Sequence, residues 1–193
     1  MYLVETTPIG KDRLPLADLR GHLRLGTGFS DDTVQDDLLE RILRGALTEV
    51  EALTAKALLH REFVLRLDAW NGTSHHLLPR APVTGIGDVS IAYRDGTREL
   101  VSRERYRMRR DPVRPALVSS GYLMPSIPTG GEAEVVFTAG FGQAWSDVPQ
   151  DLALAVMSLA SARYEDRQGD RGLPDGVRAL LSPYRPIRLT GSA

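Results

Sequence analysis

The first third of the chain carries apolar residues at helical spacing. Leu16, Leu19 and Leu23 recur at i, i+3 and i+7, which predicts a short helix. A second stripe over about 32–57 predicts a longer helix of roughly 39 Å, which we expect to be the structural spine. Its apolar members are Leu39, Ile42, Leu43, Ala46, Leu47, Val50, Leu53 and Ala57.

The period changes at Arg61, where apolar and polar residues begin to alternate. Phe63, Leu65 and Leu67 lie two residues apart, which is the spacing of a half-buried strand. Short apolar runs separated by turn residues continue as far as Gly142. This pattern predicts an all-β insert over about 61–142.

Helical spacing returns after Pro149, a residue that suits the first turn of a helix. A last short helix is expected from Pro174. Pro183 and Pro186 then exclude a regular helix, so the end of the chain is expected to be extended.

These patterns predict an α+β fold in which a helical bundle carries an inserted all-β subdomain. The bundle has two N-terminal helices, the long spine helix and two C-terminal helices. We expect the N-terminal half of the bundle at 1–60, the β subdomain at 61–145, the C-terminal half at 146–183 and an extended docking tail at 184–193.

Composition excludes several classes of protein. Of the 193 residues, 42% are hydrophobic and 25% are charged, which is typical of a packed domain. No apolar run approaches the ~20 residues of a membrane span, and the N-terminus has no signal-peptide pattern. With no cysteine, the chain has no disulfide, no thiolate zinc site and no cysteine nucleophile.

No known catalytic, phosphate-binding or metal-binding motif occurs in the sequence. His75 and His76 are neighbours in a predicted strand and therefore point to opposite faces, so they cannot bind one metal together. The acidic cluster at the start of the long helix fits helix-start electrostatics better than a magnesium site; it comprises Asp31, Asp32, Asp36 and Asp37. We expect no enzyme activity, no catalytic residue, no metal and no cofactor.

Arginine is concentrated in the middle of the chain. The segment from Arg94 to Arg114 holds eight arginines and four acidic residues, although the net charge of the chain is −1. In one continuous strand, alternation would place four arginines on one face: Arg103, Arg105, Arg107 and Arg109. Three interpretations stay open: a solvated edge strand, a protein interface, or a surface that faces nucleic-acid phosphates.

The C-terminal segment mixes aromatic, arginine and aliphatic residues, which is typical of interface hot spots. Its prolines restrict the backbone and reduce the entropy lost on docking. We expect it to dock on a different chain, and the alternative is a tail that lies across its own subunit. The proposed docking residues are Tyr184, Arg185, Pro186, Ile187, Arg188 and Leu189.

Several short motifs, in this order, resemble the head–tail connector (adaptor) proteins of long-tailed bacteriophages and gene transfer agents. The matching pieces extend over most of the chain. They include Leu16-Ala17-Asp18-Leu19-Arg20-Gly21-His22-Leu23, Leu67-Asp68-Ala69-Trp70, Leu77-Leu78-Pro79-Arg80-Ala81-Pro82, Val136-Phe137-Thr138-Ala139-Gly140-Phe141-Gly142, Val148-Pro149-Gln150-Asp151-Leu152 and Leu180-Leu181-Ser182-Pro183-Tyr184-Arg185.

The resemblance implies a structural protein that forms a ring, commonly of twelve copies, beneath the portal protein. Such a ring joins the capsid to the next connector, stopper or tail component. It continues the channel through which DNA passes without sequence-specific binding. The implied location is the head–tail junction of a virion made in the bacterial cytoplasm. The alternative function is a nucleic-acid-binding module that uses the Arg103–Arg110 stretch.

Overall fold

The computed structural model describes residues 1–25, 32–166 and 172–186. The chain divides into two compact units. The first, here called the sheet unit, comprises Met1–Pro8 and Leu59–Phe141. The second, the helical unit, comprises Ile9–Leu58 and Gly142–Ala193.

The sheet unit contains two antiparallel sheets. Its strands are β1 (Tyr2–Glu5), β2 (Arg61–Leu67), β3 (His75–Leu77), β4 (Val83–Ala92), β5 (Arg98–Leu100), β6 (Tyr106–Arg109), β7 (Ala116–Ser119) and β8 (Glu132–Ala139). The larger sheet has the order β1-β2-β8-β4-β5, and the smaller sheet has the order β3-β7-β6. The strand β8 therefore lies at the centre of the larger sheet, between β2 and β4.

The core of the larger sheet follows from the alternation in β2. Every second residue of β2 is buried, and the inward positions pair with inward positions of β8. Phe63 lies opposite Phe137, and their rings stack with centroids 5.5 Å apart. Such cross-strand aromatic pairs stabilise a sheet by up to about 1 kcal/mol relative to alanine.

The helical unit contains α1 (Leu16–His22), α2 (Asp32–Thr54), α3 (Gln150–Glu165) and α4 (Asp175–Leu181). The helix α2 packs against α3, which in turn packs against α4. Their contact surfaces are apolar; the fully buried members include Leu39, Leu43, Val50, Leu152, Leu159 and Leu181. An ion pair between Glu49 and Arg163 at 3.2 Å also joins α2 to α3.

Side chains in its last turn account for the end of α2. The Thr54 hydroxyl donates to the Val50 carbonyl at 2.7 Å, and Ala55 then takes a left-handed conformation with φ of 55°. The buried Glu51 carboxylate accepts the Leu58 N–H at 2.7 Å. The helix therefore stops at Thr54, three residues short of the predicted end.

The predicted fold class is wrong. The structure is a mixed α+β fold with two antiparallel sheets, not a helical bundle built on a long spine helix. The fully buried residues include Phe63, Leu65, Val135 and Phe137 of the paired strands β2 and β8, so much of the core is built on a sheet rather than on a helical spine. The strand β1 precedes the first helix and pairs with β2, so the larger sheet is assembled from two separate stretches of chain.

The two adjacent histidines point in opposite directions, as the sequence predicts, but only one of them is at the surface. His75 is half-buried, whereas His76 is fully buried opposite Leu117 of β7. The backbone N–H of Asn71 donates to Nδ1 of His76 at 3.1 Å, and the Trp70 ring meets the imidazole edge-on. Nε2 of His76 has no hydrogen-bond partner among the described residues. Burial, with a smaller contribution from His75, lowers the pKa of His76 to about 4.

Truncation of Leu43 should destabilise the protein much more than truncation of Leu38. Leu43 is fully buried, whereas Leu38 on the same helix is 42% exposed. Leu43→Ala should lower the free energy of unfolding by ~2–5 kcal/mol, because it leaves a cavity in the core of the helical unit. Leu38→Ala should cost less than ~1 kcal/mol. Urea denaturation of both variants measures the difference, and equal losses would show that α2 is not packed as described.

Acid should weaken the fold through His76. The unfolded chain binds a proton at this residue near pH 6.5, whereas the folded chain resists it until about pH 4. This contribution to stability is therefore intact above about pH 6.5 and decreases as the pH falls, by at most about 3 kcal/mol.

A His76→Gln variant has no group that titrates at this position. Its unfolding free energy should change less between pH 7 and pH 4.5 than that of the parent, as measured by urea denaturation at each pH. Identical pH profiles for the two proteins would contradict the burial of a neutral His76.

Candidate interaction surfaces

The arginine-rich stretch does not form one strand. Arg103–Arg105 is a 3₁₀ turn, which the Arg105 N–H closes by donating to the Ser102 carbonyl at 2.9 Å. Only Arg107 and Arg109 lie on β6, at an edge of the smaller sheet. The expected ladder of four arginines on one strand face is therefore wrong.

Tyr106 fixes this turn to the structure beneath it. Its side chain is buried, and its hydroxyl donates to the Gly87 carbonyl at 3.0 Å. The Arg103 guanidinium lies over the Tyr106 ring, 4.8 Å from the centroid, which is a cation–π contact. Along β6 the exposed Arg107 and Arg109 alternate with Tyr106 and the half-buried Met108.

The arginines of this region are exposed and have no ion-pair partner among the residues that the structure describes. We call them the arginine surface; its members are Arg103, Arg105, Arg107, Arg109, Arg110 and Arg114. The Asp111 carboxylate accepts the N–H groups of Arg114 and Val113 at 2.8 Å, and these bonds lower the pKa of Asp111. Asp111 therefore stabilises the turn that it begins, through backbone hydrogen bonds, rather than forming an ion pair with any arginine side chain that the structure describes.

A loop beside the arginine surface exposes two large apolar side chains. In the segment 119–124, here called the Tyr122 loop, Tyr122 is 95% exposed and Leu123 is 67% exposed. The sequence patterns did not predict this exposed pair, although a tyrosine and a leucine between Gly121 and Pro125 were a visible signal.

Hydrogen bonds hold this loop on both sides of its tip. The Ser119 hydroxyl donates to the Leu123 carbonyl at 2.7 Å and accepts the Gly121 N–H at 3.1 Å. The Met124 N–H donates to the Thr73 carbonyl at 2.8 Å, and the Ser120 N–H donates to the Arg105 carbonyl at 2.9 Å. The backbone that carries Tyr122 is therefore fixed to the same turn that carries Arg103 and Arg105.

The two tryptophans have different surroundings. The Trp70 indole N–H donates to the Pro125 carbonyl at 2.7 Å, so Trp70 is a packing residue. Trp145 is only half-buried, in a 3₁₀ turn of the helical unit. Trp145 lines an open cleft of about 410 Å³, here called the Trp145 cleft, together with Leu14, Pro15 and Ala144.

The Trp145 cleft combines an apolar lining with acidic residues. Asp12 and Asp18 also line it, and both are exposed. Neither carboxylate pairs with a basic side chain in the described part of the chain. The Arg13 Nε–H donates to the Gln143 carbonyl at 2.9 Å and so joins the two segments that form the cleft.

The described side chains of the acidic cluster, Asp36 and Asp37, form ion pairs within the helical unit. Asp36 pairs with Arg20, and the Lys11 ammonium lies 3.3 Å from Asp37 and 3.1 Å from Glu40. Glu40 also bonds Arg44, and these hydrogen bonds lower the pKa of Glu40. Asp31 lies outside the described residues. Within the described ranges, no three histidine, aspartate or glutamate side chains are placed to hold a metal ion.

The beginning of the proposed docking tail is held by its own chain. Ser182–Tyr184 is a 3₁₀ turn, and the Tyr184 hydroxyl donates to the Asp151 carboxylate at 2.9 Å. Burial and this carboxylate raise the pKa of Tyr184 to about 12. Arg185 and Pro186 are exposed, whereas Ile187, Arg188 and Leu189 lie outside the described residues. None of the described helices is long and apolar enough to cross a membrane.

Comparisons with known proteins give full-length matches among solved structures. No protein-family model and no curated protein sequence matches the chain. A chain from the neck of an empty gene transfer agent (GTA) particle, computed with C6 symmetry, is 41% identical and superposes with a TM-score of 0.92. A chain from the virion of a native GTA particle is 42% identical with a TM-score of 0.89. A chain from the neck of a native GTA particle, computed with C12 symmetry, is 38% identical with a TM-score of 0.87.

Each of these matches covers 100% of this chain and 99% of the chain to which it is compared. Because the sequence identity of 38–42% extends over nearly the whole of both chains, the similarity goes beyond a shared fold. The protein therefore belongs to the same family as these GTA particle chains, and its role is structural, in a phage or gene transfer agent particle.

Proposed function

We propose that the protein is a head–tail connector that forms a ring in the neck of a gene transfer agent or phage particle. The observation that carries the proposal is the full-length match, at 38–42% identity, to chains from particle structures, two of them described as necks. In this role the ring lies under the portal protein, continues the DNA channel and receives the next connector, stopper or tail component.

The rotational symmetry of the related assemblies supports a ring. The two neck structures were computed with C6 and C12 symmetry. Copies related by rotation meet through two different surfaces, one on each side of the chain, and such contacts close into a ring when the rotation is a whole fraction of a turn. We propose twelve copies, the number typical of connector rings that this chain resembles.

The role is structural rather than catalytic. Among the described residues, charged side chains are placed in ion pairs, turns and exposed surfaces rather than around a common reacting point. The large exposed side chains and the unpaired arginines are groups suited to contacts with other macromolecules. DNA passes through the channel without sequence-specific contacts.

The C-terminal residues are proposed to dock on the portal protein. The Tyr184–Asp151 bond is the last side-chain hydrogen bond between the described chain and its own unit. Beyond it, the sequence provides Pro186, Ile187, Arg188 and Leu189, which combine a restricted backbone with anchor residues.

Deletion of residues 186–193 should impair assembly without affecting folding. It retains Tyr184 and removes none of the buried residues found in the described chain, so urea denaturation should show near-parent stability. Co-purification with the portal protein should be lost, and cells that make the variant should yield heads without tails.

The control deletes only Gly191, Ser192 and Ala193, which provide no large anchor side chain, and it should assemble like the parent. The docking role is refuted if the 186–193 deletion unfolds the protein. It is equally refuted if that deletion joins heads to tails at the parental yield.

A further inference from the structure

The Tyr122 loop has the properties of a preformed interface anchor. Tyr122 is 95% exposed and Leu123 is 67% exposed, on a backbone that four hydrogen bonds hold in place. A fixed backbone loses little conformational entropy when it docks. Tyrosine and arginine are also the residues most enriched in binding hot spots.

The surroundings of this loop define the chemistry of its partner. The Ser120 N–H bonds the Arg105 carbonyl, so Tyr122 and Leu123 extend from a backbone tied to the turn of Arg103 and Arg105. A partner must therefore offer an apolar recess accompanied by carboxylates. Nucleic-acid phosphates would satisfy the arginines but would leave the Leu123 side chain without an apolar contact.

The Trp145 cleft in the helical unit matches these requirements. Its apolar lining includes Leu14, Pro15 and Trp145, and its volume of about 410 Å³ is large enough for bulky side chains. Asp12 and Asp18 provide carboxylates that lack a basic partner in the described chain. The apolar surfaces and the unpaired charges are therefore complementary.

We propose that the Tyr122 loop of one copy docks into the Trp145 cleft of the next copy, with Arg103 and Arg105 facing Asp12 and Asp18. The contact uses different surfaces of the two copies and leaves a free loop at one end and a free cleft at the other. Repetition of such a contact builds a ring or a filament. The inference rests on the proposed ring and names the contact between its copies.

Cross-linking between engineered cysteines tests this contact, because the parent chain contains no cysteine. Ser120 and Ala144 are exposed and flank the loop tip and the cleft, respectively. The double variant S120C–A144C replaces the parent chain in particle-producing cells, and purified particles are treated with a short bismaleimide. We expect a ladder of covalent multimers on a denaturing gel, whereas each single-cysteine variant remains monomeric.

Purified single variants provide a second arm that does not depend on particle assembly. S120C and A144C are mixed at high concentration and treated with the same reagent. We expect a covalent dimer that grows no further, because each molecule carries one reactive thiol. Failure to form cross-links in both arms overturns the proposal. A dimer formed by S120C alone would also overturn it, because that product requires two identical surfaces to meet.

Two matched substitutions relate the cross-link to the loop itself. Leu123→Ser in the S120C–A144C background should reduce the cross-linked yield about tenfold or more, because it removes an apolar side chain that the contact would bury. Leu100→Ser removes a leucine of similar exposure, 64% against 67%, and should leave the yield unchanged. An equal effect of both substitutions would contradict a specific contact.

Charge reversal tests the proposed ion pairs. R103E–R105E and D12R–D18R should each abolish the cross-link, and the combination of all four substitutions should restore it. If R103E–R105E instead retains the cross-link and abolishes binding to a short DNA duplex, the arginines belong to a DNA-binding surface and the proposal is wrong.

A different result would refute the proposed function. It is refuted if the parent chain is missing from purified particles. If the parent chain is present but the loop and cleft do not cross-link in either arm, only the inferred contact is wrong.

Discussion

The antiparallel pairing of β2 with β8 is the interaction on which the rest of the sheet unit depends. The pairing extends from Arg61 opposite Ala139 to Leu67 opposite Ala133, and the Phe63–Phe137 stack lies within it. β8 also pairs with β4 on its other side, so it fixes the position of both neighbouring strands. The β4 pairing has a register shift between Ile86 and Val89, where the Gly87 carbonyl accepts the Tyr106 hydroxyl.

This bond connects the two sheets and so positions the surface that we propose to be functional. A side chain at Gly87 would have its Cβ only 3.2 Å from the Val136 side chain, so glycine permits the close approach of β4 to β8 at the bulge. Tyr106 then fixes β6 and the preceding turn with Arg103. The Arg105 carbonyl of this turn accepts a hydrogen bond from the Ser120 N–H of the Tyr122 loop. Arg103 and the Tyr122 loop are therefore carried by a hydrogen-bonded backbone, which suits a permanent structural contact.

The sequence predicted features with strong periodicity and missed features that depend on tertiary contacts. The alternation of Phe63, Leu65 and Leu67 indicated a strand, and β2 includes all three residues. The strand β1 has only four residues and is defined by its pairing with β2, so no local pattern revealed it. The helical-bundle prediction failed because helical periodicity shows where helices lie but not how much of the core the paired strands contribute.

The candidate surfaces show the same division. The concentration of arginine was visible in the sequence, but its expected alternation on one strand was not realised because Ser102–Arg105 folds into a turn. The Tyr122 loop is held by the local Ser119 hydroxyl and by the Thr73 carbonyl, which accepts the Met124 N–H and is distant in sequence. The place of Trp145 in an open cleft became apparent only from the structure.

Electron cryomicroscopy of purified particles would show whether this chain forms a ring at the junction of head and tail. We expect the neck density to contain a closed ring of rotationally related copies of this chain, continuous with the DNA channel. This expectation would be contradicted by a neck without this chain, or by copies placed elsewhere in the particle without mutual contact.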